Sequence, residues 1–377
     1  MKKVLVPKVR FKGFDNNWEQ GNIGEVFELT RGEVLSQRKI RNKKMGEYIY
    51  PVFSSQTLNN GLLGFYNNFL FKNSITWTTD GANAGTVLYR DGLFYATNVC
   101  GVMLQKTSIK PSSYFAHEIN VKVKKHVIKA GNPKLMINVL HEVLINFSKN
   151  KLEQEKISIL IENIDNLITL EQTKLNKLKQ LKETLLQKMF PEGNLKTPKI
   201  RFKGFEGEWS EERLECIAKV SNGKSNTSDN NKWGQYNLYI RSEEIYKSNK
   251  YIFDVEGVIT VGDGNIGKIF HYVNGKFDLH QRCYLIYEFQ NIWPKYFYYY
   301  FSQNFYKRAI LMSYTATVNS IRMNTITDMD IMFPKELIEQ QKIGNFFSKI
   351  DNLISLYQSK LKKLKKIKEA LLQKMFV

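Results

Sequence analysis

The eight residues GDGNIGKI (Gly262 to Ile269) have the GxxxxGK spacing of a loop whose backbone amides cradle nucleotide phosphates. The pattern then breaks, because Ile269 stands where Ser or Thr would have to hold magnesium. KIFHY (Lys268 to Tyr272) is patterned as a strand, so no helix N-terminus faces the loop. The related stretch TDGANAGTV (Thr79 to Val87) has Thr86 in place of the lysine. Both stretches are therefore expected to be glycine-rich strand-to-strand turns, a shape that can lie close to a DNA backbone. Methyl transfer to an amino group would need an NPPY- or DPPF-like tetrapeptide and a glycine-rich cofactor loop, and NPKL (Asn132 to Leu135) is not one. There is no HExxH, no GxSxG and no helicase box. Cys100, Cys216 and Cys283 form no CxxC pair, and His117, His126, His141, His271 and His280 have no metal-ligand spacing. The chain is expected to catalyse nothing and to hold no metal.

The elements around these turns are patterned as strands. EYIYPVF (Glu47 to Phe53), SITW (Ser74 to Trp77), TVLYR (Thr86 to Arg90) and CGVML (Cys100 to Leu104) form one set. YNLYI (Tyr236 to Ile240), GVITV (Gly257 to Val261), KIFHY and CYLIY (Cys283 to Tyr287) form a second. Pro111 and Pro294 each precede a Tyr-Phe pair and are expected to open a helix at its first position. WPKYFYYYF (Trp293 to Phe301) offers aromatics for stacking on bases. On a helix, however, consecutive aromatics point all round, which suits burial in a core. The two stretches, about 18 to 150 and 209 to 338, read as one ancestral α+β fold with a diverged surface.

What frames them is written twice. PKVRFKGFDNNW (Pro7 to Trp18) returns as PKIRFKGFEGEW (Pro198 to Trp209). Glu153 to Phe190 returns without a gap as Glu339 to Phe376, identical at about 24 of 38 positions. In the first copy Ile157, Leu160, Ile161, Ile164, Leu167 and Ile168, then Leu175, Leu178, Leu181, Leu185 and Met189, recur at helical spacing. Two such helices are expected to pack on each other as an antiparallel coiled coil, with a pseudo-two-fold relation between the repeats. The lysines of KLKKLKKIK (Lys360 to Lys368) are expected to form a solvated face, the alternative being a phosphate or subunit contact. The formal charge of +20 points to a polyanionic partner, with nucleic acid ahead of a membrane surface. No run of about 18 apolar residues exists, and MKKVLVPKVRFKGF lacks the apolar core of a signal peptide, so a cytoplasmic location is expected.

EQQKI (Glu339 to Ile343) after FPKELI (Phe333 to Ile338), the long helix ending in LLQKMF, and the paired RFKGF openings resemble the specificity subunit of type I restriction-modification systems. The resemblance covers the whole chain. NKLEQEKI (Asn150 to Ile157) departs from it by lacking the preceding proline. It implies two target recognition domains, residues 1–150 and 191–338, joined by conserved helices at 151–190 and 339–377. Each domain would read one half of a split double-stranded DNA site in a phage-defence system. Two methyltransferase subunits would bring S-adenosylmethionine and flip the adenine out of the duplex. Two restriction subunits would bring ATP and magnesium. This chain would carry no cofactor.

Base edges are read by Arg, Lys, Asn, Gln and acidic side chains on loops. The candidates are Ser54, Ser55, Gln56 and Asn59, with Thr78, Asp80 and Asn83, in the first domain. In the second they are Arg241, Ser242 and Glu243, with His280, Gln281 and Arg282. Arg241 and Arg282 lead, because Arg suits both guanine and phosphate. The rival readings are a coiled-coil adaptor that does not bind DNA and a stand-alone DNA-modifying enzyme. The first leaves two diverged inserts in one frame unexplained. The second lacks its motifs.

Overall fold

The computed structural model describes residues 5–55, 58–193, 195–315 and 319–376. The chain divides into two compact units, Met1–Leu170 with Lys360–Val377 and Glu171–Ser359. Each is built on a six-stranded sheet. The first sheet contains β1 (Phe27–Arg31), β2 (Tyr50–Phe53), β3 (Leu62–Tyr66), β4 (Phe71–Thr78), β5 (Val87–Ala96) and β6 (Cys100–Gln105). A helix, α1 (Ser113–Val123), and the long helix α2 (Lys151–Met189) follow. The second sheet contains β7 (Lys219–Asn222), β8 (Tyr236–Tyr239), β9 (Ile245–Ser248), β10 (Phe253–Val261), β11 (Phe270–Leu279) and β12 (Cys283–Tyr287). Then come α3 (Pro294–Leu311) and the long helix α4 (Leu337–Met375).

The strand orders are β1-β6-β4-β5-β2-β3 and β7-β12-β10-β11-β8-β9, the same path in both units. In each, one pair is parallel, β2 with β5 and β8 with β11, and the other neighbours are antiparallel. Registers match as well. Thr78 faces Cys100 as Val261 faces Cys283. The weak likeness of the inserts is thus a shared fold, and the glycine-rich stretches are the β4–β5 and β10–β11 turns.

One face of each sheet packs on helices. Ile75, Trp77 and Met103 meet Tyr114, Phe115 and Ile119 in the first unit. Val258 and Ile286 meet Tyr296, Phe297, Phe301 and Phe305 in the second. The aromatic run is core, as expected. Pro294 is the first residue of α3. Pro111, by contrast, stands ahead of α1, whose N-cap is Ser112 in extended backbone with no capping bond from its hydroxyl.

The repeated sequences are the joints of this frame. Arg10 donates to Glu153 at 2.6 and 2.9 Å, and Arg201 donates to Glu339 at 2.7 and 2.8 Å, each through a two-pronged ion pair. Trp18 packs edge-on against Phe376, and Trp209 against Phe190. The Val9 amide donates to Lys374 O in the first unit as the Ile200 amide donates to Lys188 O in the second. The helices α2 and α4 begin and end at equivalent residues. Ser148 stands where the second copy has Pro334, and Asn150 caps α2, its Oδ1 accepting from the Leu152 and Glu153 amides at 3.0 and 3.3 Å.

Within each unit the two long helices lie antiparallel. Lys368 reaches Asp165 at 2.5 Å in the first unit, and Lys182 reaches Asp351 at 2.5 Å in the second. The apolar stripe is only partly covered. Ile157, Ile161, Ile164, Ile343, Phe347 and Ile350 are buried. Leu167, Leu170, Leu181 and their equivalents Leu353, Leu356 and Ile367 stand 45–63% exposed. One neighbouring helix covers a narrower strip than these positions occupy.

Candidate nucleic-acid interface

At one end of each sheet three segments converge: the residues after β2 or β8, the turn opening at Thr79 or Gly262, and the turn before β6 or β12. Backbone hydrogen bonds fix them in the same way twice. Thr97 N donates to Phe53 O at 2.9 Å, and His280 N donates to Tyr239 O at 2.9 Å. Thr79 N donates to Val99 O, and Gly262 N to Arg282 O. Gly81 N donates to Pro133 O, and Gly264 N to Asn319 O. These two glycines have φ of +91° and +74°, a conformation that favours Gly over residues with a Cβ. The bonds pair Ser55 with Arg241, Asp80 with Asp263, and Val99 with Arg282. The scaffold and its aspartate are kept, and the side chains on either side of that turn differ.

In the second unit the Asp263 carboxylate, 13% exposed, ties two arginines. Arg241 Nη1 is 3.1 Å from both of its oxygens, and Arg282 Nε is 4.0 Å from Oδ2. Both guanidinium groups still face solvent. His280 is buried beneath them, and its Nδ1 accepts from the Arg282 amide at 3.0 Å. Burial, reinforced by the two arginines, pushes His280 below its usual range, so it stays neutral at physiological pH. Gln281 Nε2 donates to Asn226 Oδ1 at 2.6 Å. Ser242 Oγ donates to Glu244 O, and Glu243 is exposed. Arg241, Ser242 and Asp263 line a recess of about 380 Å³. The six candidates of this unit lie on the two segments that flank the Asp263 turn.

In the first unit Ser54, Thr78 and Asn83 line a recess of about 160 Å³. Ser55 follows Ser54 and is half-buried. Asp80 accepts from Thr79 Oγ1 at 2.6 Å and lies 3.9 Å from Lys134 Nζ. Asn59 is exposed on the turn before β3, with φ of +50°. Gln56 lies outside the described residues. Absent from the sequence candidates is Arg90, whose side chain enters the same recess from β5. Read as one strand residue in TVLYR, it had no signal of its own. Only the strand order turns it toward Ser54 and Thr78. Lys134, beside Asp80, was likewise hidden in an irregular stretch. The two ends thus differ in character: one displays a pair of arginines, the other hydroxyls and amides around one cation. Among the described residues no group of His, Cys, Asp and Glu can hold a metal ion, and no helix is long and apolar enough to cross a membrane.

The family model described as the type I restriction modification DNA specificity domain matches this chain at residues 15–180 and again at 206–366. A putative type I specificity subunit N-terminus from Mycoplasma pneumoniae is 39% identical over 142 residues, 37% of this chain and 74% of that one. The MpnII specificity subunit of the same organism is 34% identical over 38% of this chain and 43% of its own. The EcoDI specificity subunit of Escherichia coli is 30% identical over 44% of this chain and 35% of its own. The crystal structure of a type I restriction-modification system S subunit from M. genitalium shares the fold, with TM-score 0.75 and 18% identity over 99% of both chains.

Proposed function

The chain belongs to the type I restriction-modification DNA specificity family, and from that premise we propose that it reads a split DNA site, one half with each sheet end. One observation carries this reading. The same six-stranded scaffold occurs twice, and equivalent positions at one end carry Ser55, Asp80 and Val99 in one unit and Arg241, Asp263 and Arg282 in the other. Duplicated supports that keep one aspartate and differ at the positions flanking it suit the recognition of two unlike sequences. Contacts to phosphates position the protein, and contacts to base edges, those of arginine with guanine included, discriminate sequence.

In this reading residues 1–150 and 191–338 are the recognition domains, and 151–190 and 339–377 are the helices that hold them. The recognition residues are Ser54, Ser55, Gln56, Asn59, Thr78, Asp80 and Asn83, with Arg241, Ser242, Glu243, His280, Gln281 and Arg282. The subunit does no chemistry. Two methyltransferase subunits bind it, bring S-adenosylmethionine and methylate adenine. Two restriction subunits bring ATP and magnesium. The complex works in the cytoplasm. Support for docked subunits comes from the equivalent exposed apolar residues on α2 and α4, which offer a similar surface twice.

Sequencing the methylated bases of a host strain with the gene intact and deleted tests the reading. A split motif that disappears with the gene is expected. An unchanged methylation pattern in a strain expressing both subunits would leave the coiled-coil adaptor as the better account.

A further inference from the structure

Among the described residues Arg90 has no counter-ion. It is half-buried, and burial lowers its pKa to about 10. Its guanidinium lies 3.7 Å from the centre of the Phe53 ring. Nε donates to Thr76 Oγ1 at 3.0 Å, and Nη2 donates to Asn60 O at 2.7 Å. Asn59, Asn60 and Gly61 all have positive φ, and this left-handed turn aims the Asn60 carbonyl at the arginine. The side chains lining the recess with it are Ser54, Asn60, Thr76, Thr78, Asn83, Thr86, Leu88 and Cys100. None of these is a carboxylate, and among the described residues no acid is within ion-pair distance of Arg90. Withdrawn charges are ordinarily paired, because leaving one alone is costly.

The second unit fills the equivalent place differently. Arg90 pairs across its hairpin with Ser74, and the equivalent Val273 pairs with Gly257. Ile259, Val261 and Val273 then occupy the places of Thr76, Thr78 and Arg90, and all three are buried in one apolar cluster with Leu285. The fold therefore closes this space with aliphatic side chains in one copy and keeps a cation among hydroxyls and amides in the other.

We propose that the Arg90 recess receives a backbone phosphate of the DNA half-site read by the first unit. An oxyanion supplies the missing counter-charge, and the Thr78, Thr86 and Ser54 hydroxyls and the Asn83 amide offer neutral hydrogen bonds around it. A guanine edge fits the arginine's geometry and leaves its charge unbalanced. The proposal rests on the DNA-reading function and deepens it.

The test uses the complex with the methyltransferase subunit, on the motif that the wild type methylates. If the wild type has no motif, the functional reading fails, and this result is distinct from failure of the Arg90 assignment. Arg90→Met keeps apolar contact with Phe53 and removes the charge. It should weaken binding to target and random DNA by the same factor, about tenfold, and reduce the logarithmic salt slope by about 0.9. Arg90→Lys should keep the slope. An unchanged slope, or loss confined to one base pair of the motif, overturns the proposal. Wild-type complex is also measured on DNA carrying single neutral methylphosphonates. One replacement in the first unit's half-site should cost a similar factor, and a scan in which no single replacement matters overturns the proposal even where Arg90→Met fails to fold. Inorganic phosphate at matched ionic strength should compete with DNA for wild type more than for Arg90→Met. If phosphate raises the melting temperature through Arg90 while DNA binding is indifferent to that residue, the recess serves a free anion and the DNA assignment falls.

Discussion

Asp263 restrains two arginines with one carboxylate, so its charge sets how both are presented. Asp263→Asn should free them, raising affinity for random DNA while discrimination at the second unit's half-site falls by about 1–3 kcal/mol. Competition between target and random duplexes measures both. If the ratio of the two affinities is unchanged, Asp263 does not orient the reading arginines. Glu118 makes a different case, since it lies buried on α1 and away from the reading end. Its Oε1 accepts from the Asn146 amide at 3.0 Å, and Lys122 lies 3.7 Å away. Burial nevertheless raises its pKa to about 7 from a usual 4.5. The folded state then binds more protons than the unfolded one between these values, so this group's contribution to stability falls as pH rises from about 4.5 to about 7. Glu118→Gln keeps an acceptor for Asn146 and removes the titration. Its melting temperature should exceed the wild type's at pH 8 and converge toward it at pH 4.5. A variant that is less stable at both pH values would show that the Lys122 contact outweighs burial.

Among the elements, the long helices carry the clearest expectation. Leu170 and Leu356 occupy equivalent positions on α2 and α4 and are 49% and 63% exposed. Exposed substitutions usually change stability by less than about 0.5 kcal/mol, so Leu170→Asp with Leu356→Asp should leave the melting curve of the free subunit nearly unchanged. Affinity for the methyltransferase subunit should drop by at least about tenfold if these residues sit at a hot spot. Titration calorimetry with the wild type alongside reads the difference. Full affinity in the double variant would place the partner elsewhere. The sequence announced these helices through the spacing of their apolar residues, and they run Lys151–Met189 and Leu337–Met375. It gave no sign of which residues in the stripe would stay exposed, because that depends on how wide a strip the neighbouring helix covers. Pro111 taught a similar lesson: a proline preceding a helix does not say how many residues precede it, and Ser112 took the cap.

For the molecule as a whole, the two inserts should be independent. Replacing residues 18–150 by the corresponding stretch of a relative should change one half of the methylated motif and leave the other as it was. Methylome sequencing decides the matter, and a change in both halves would end the modular reading. Duplication made this architecture legible. RFKGF and LLQKMF appear twice because Arg10 with Glu153, Arg201 with Glu339, and the Trp–Phe contacts must be made twice. The reading ends were less legible, since no periodicity marks a loop residue. Arg241 and Arg282 stood out by type, whereas Arg90 looked like any strand residue until the path of the sheet turned it inward.

The equivalent Arg–Glu clasps have a consequence for how new specificities arise. Each clasp and its long helix lie outside the segment that carries the sheet, so a genetic exchange with breakpoints in the clasps delivers a whole reader without disturbing the joint. On the modular reading, readers acquired for the two places combine freely. The number of sites a population can protect or attack grows as the product of the two collections, while the coding length needed grows only as their sum.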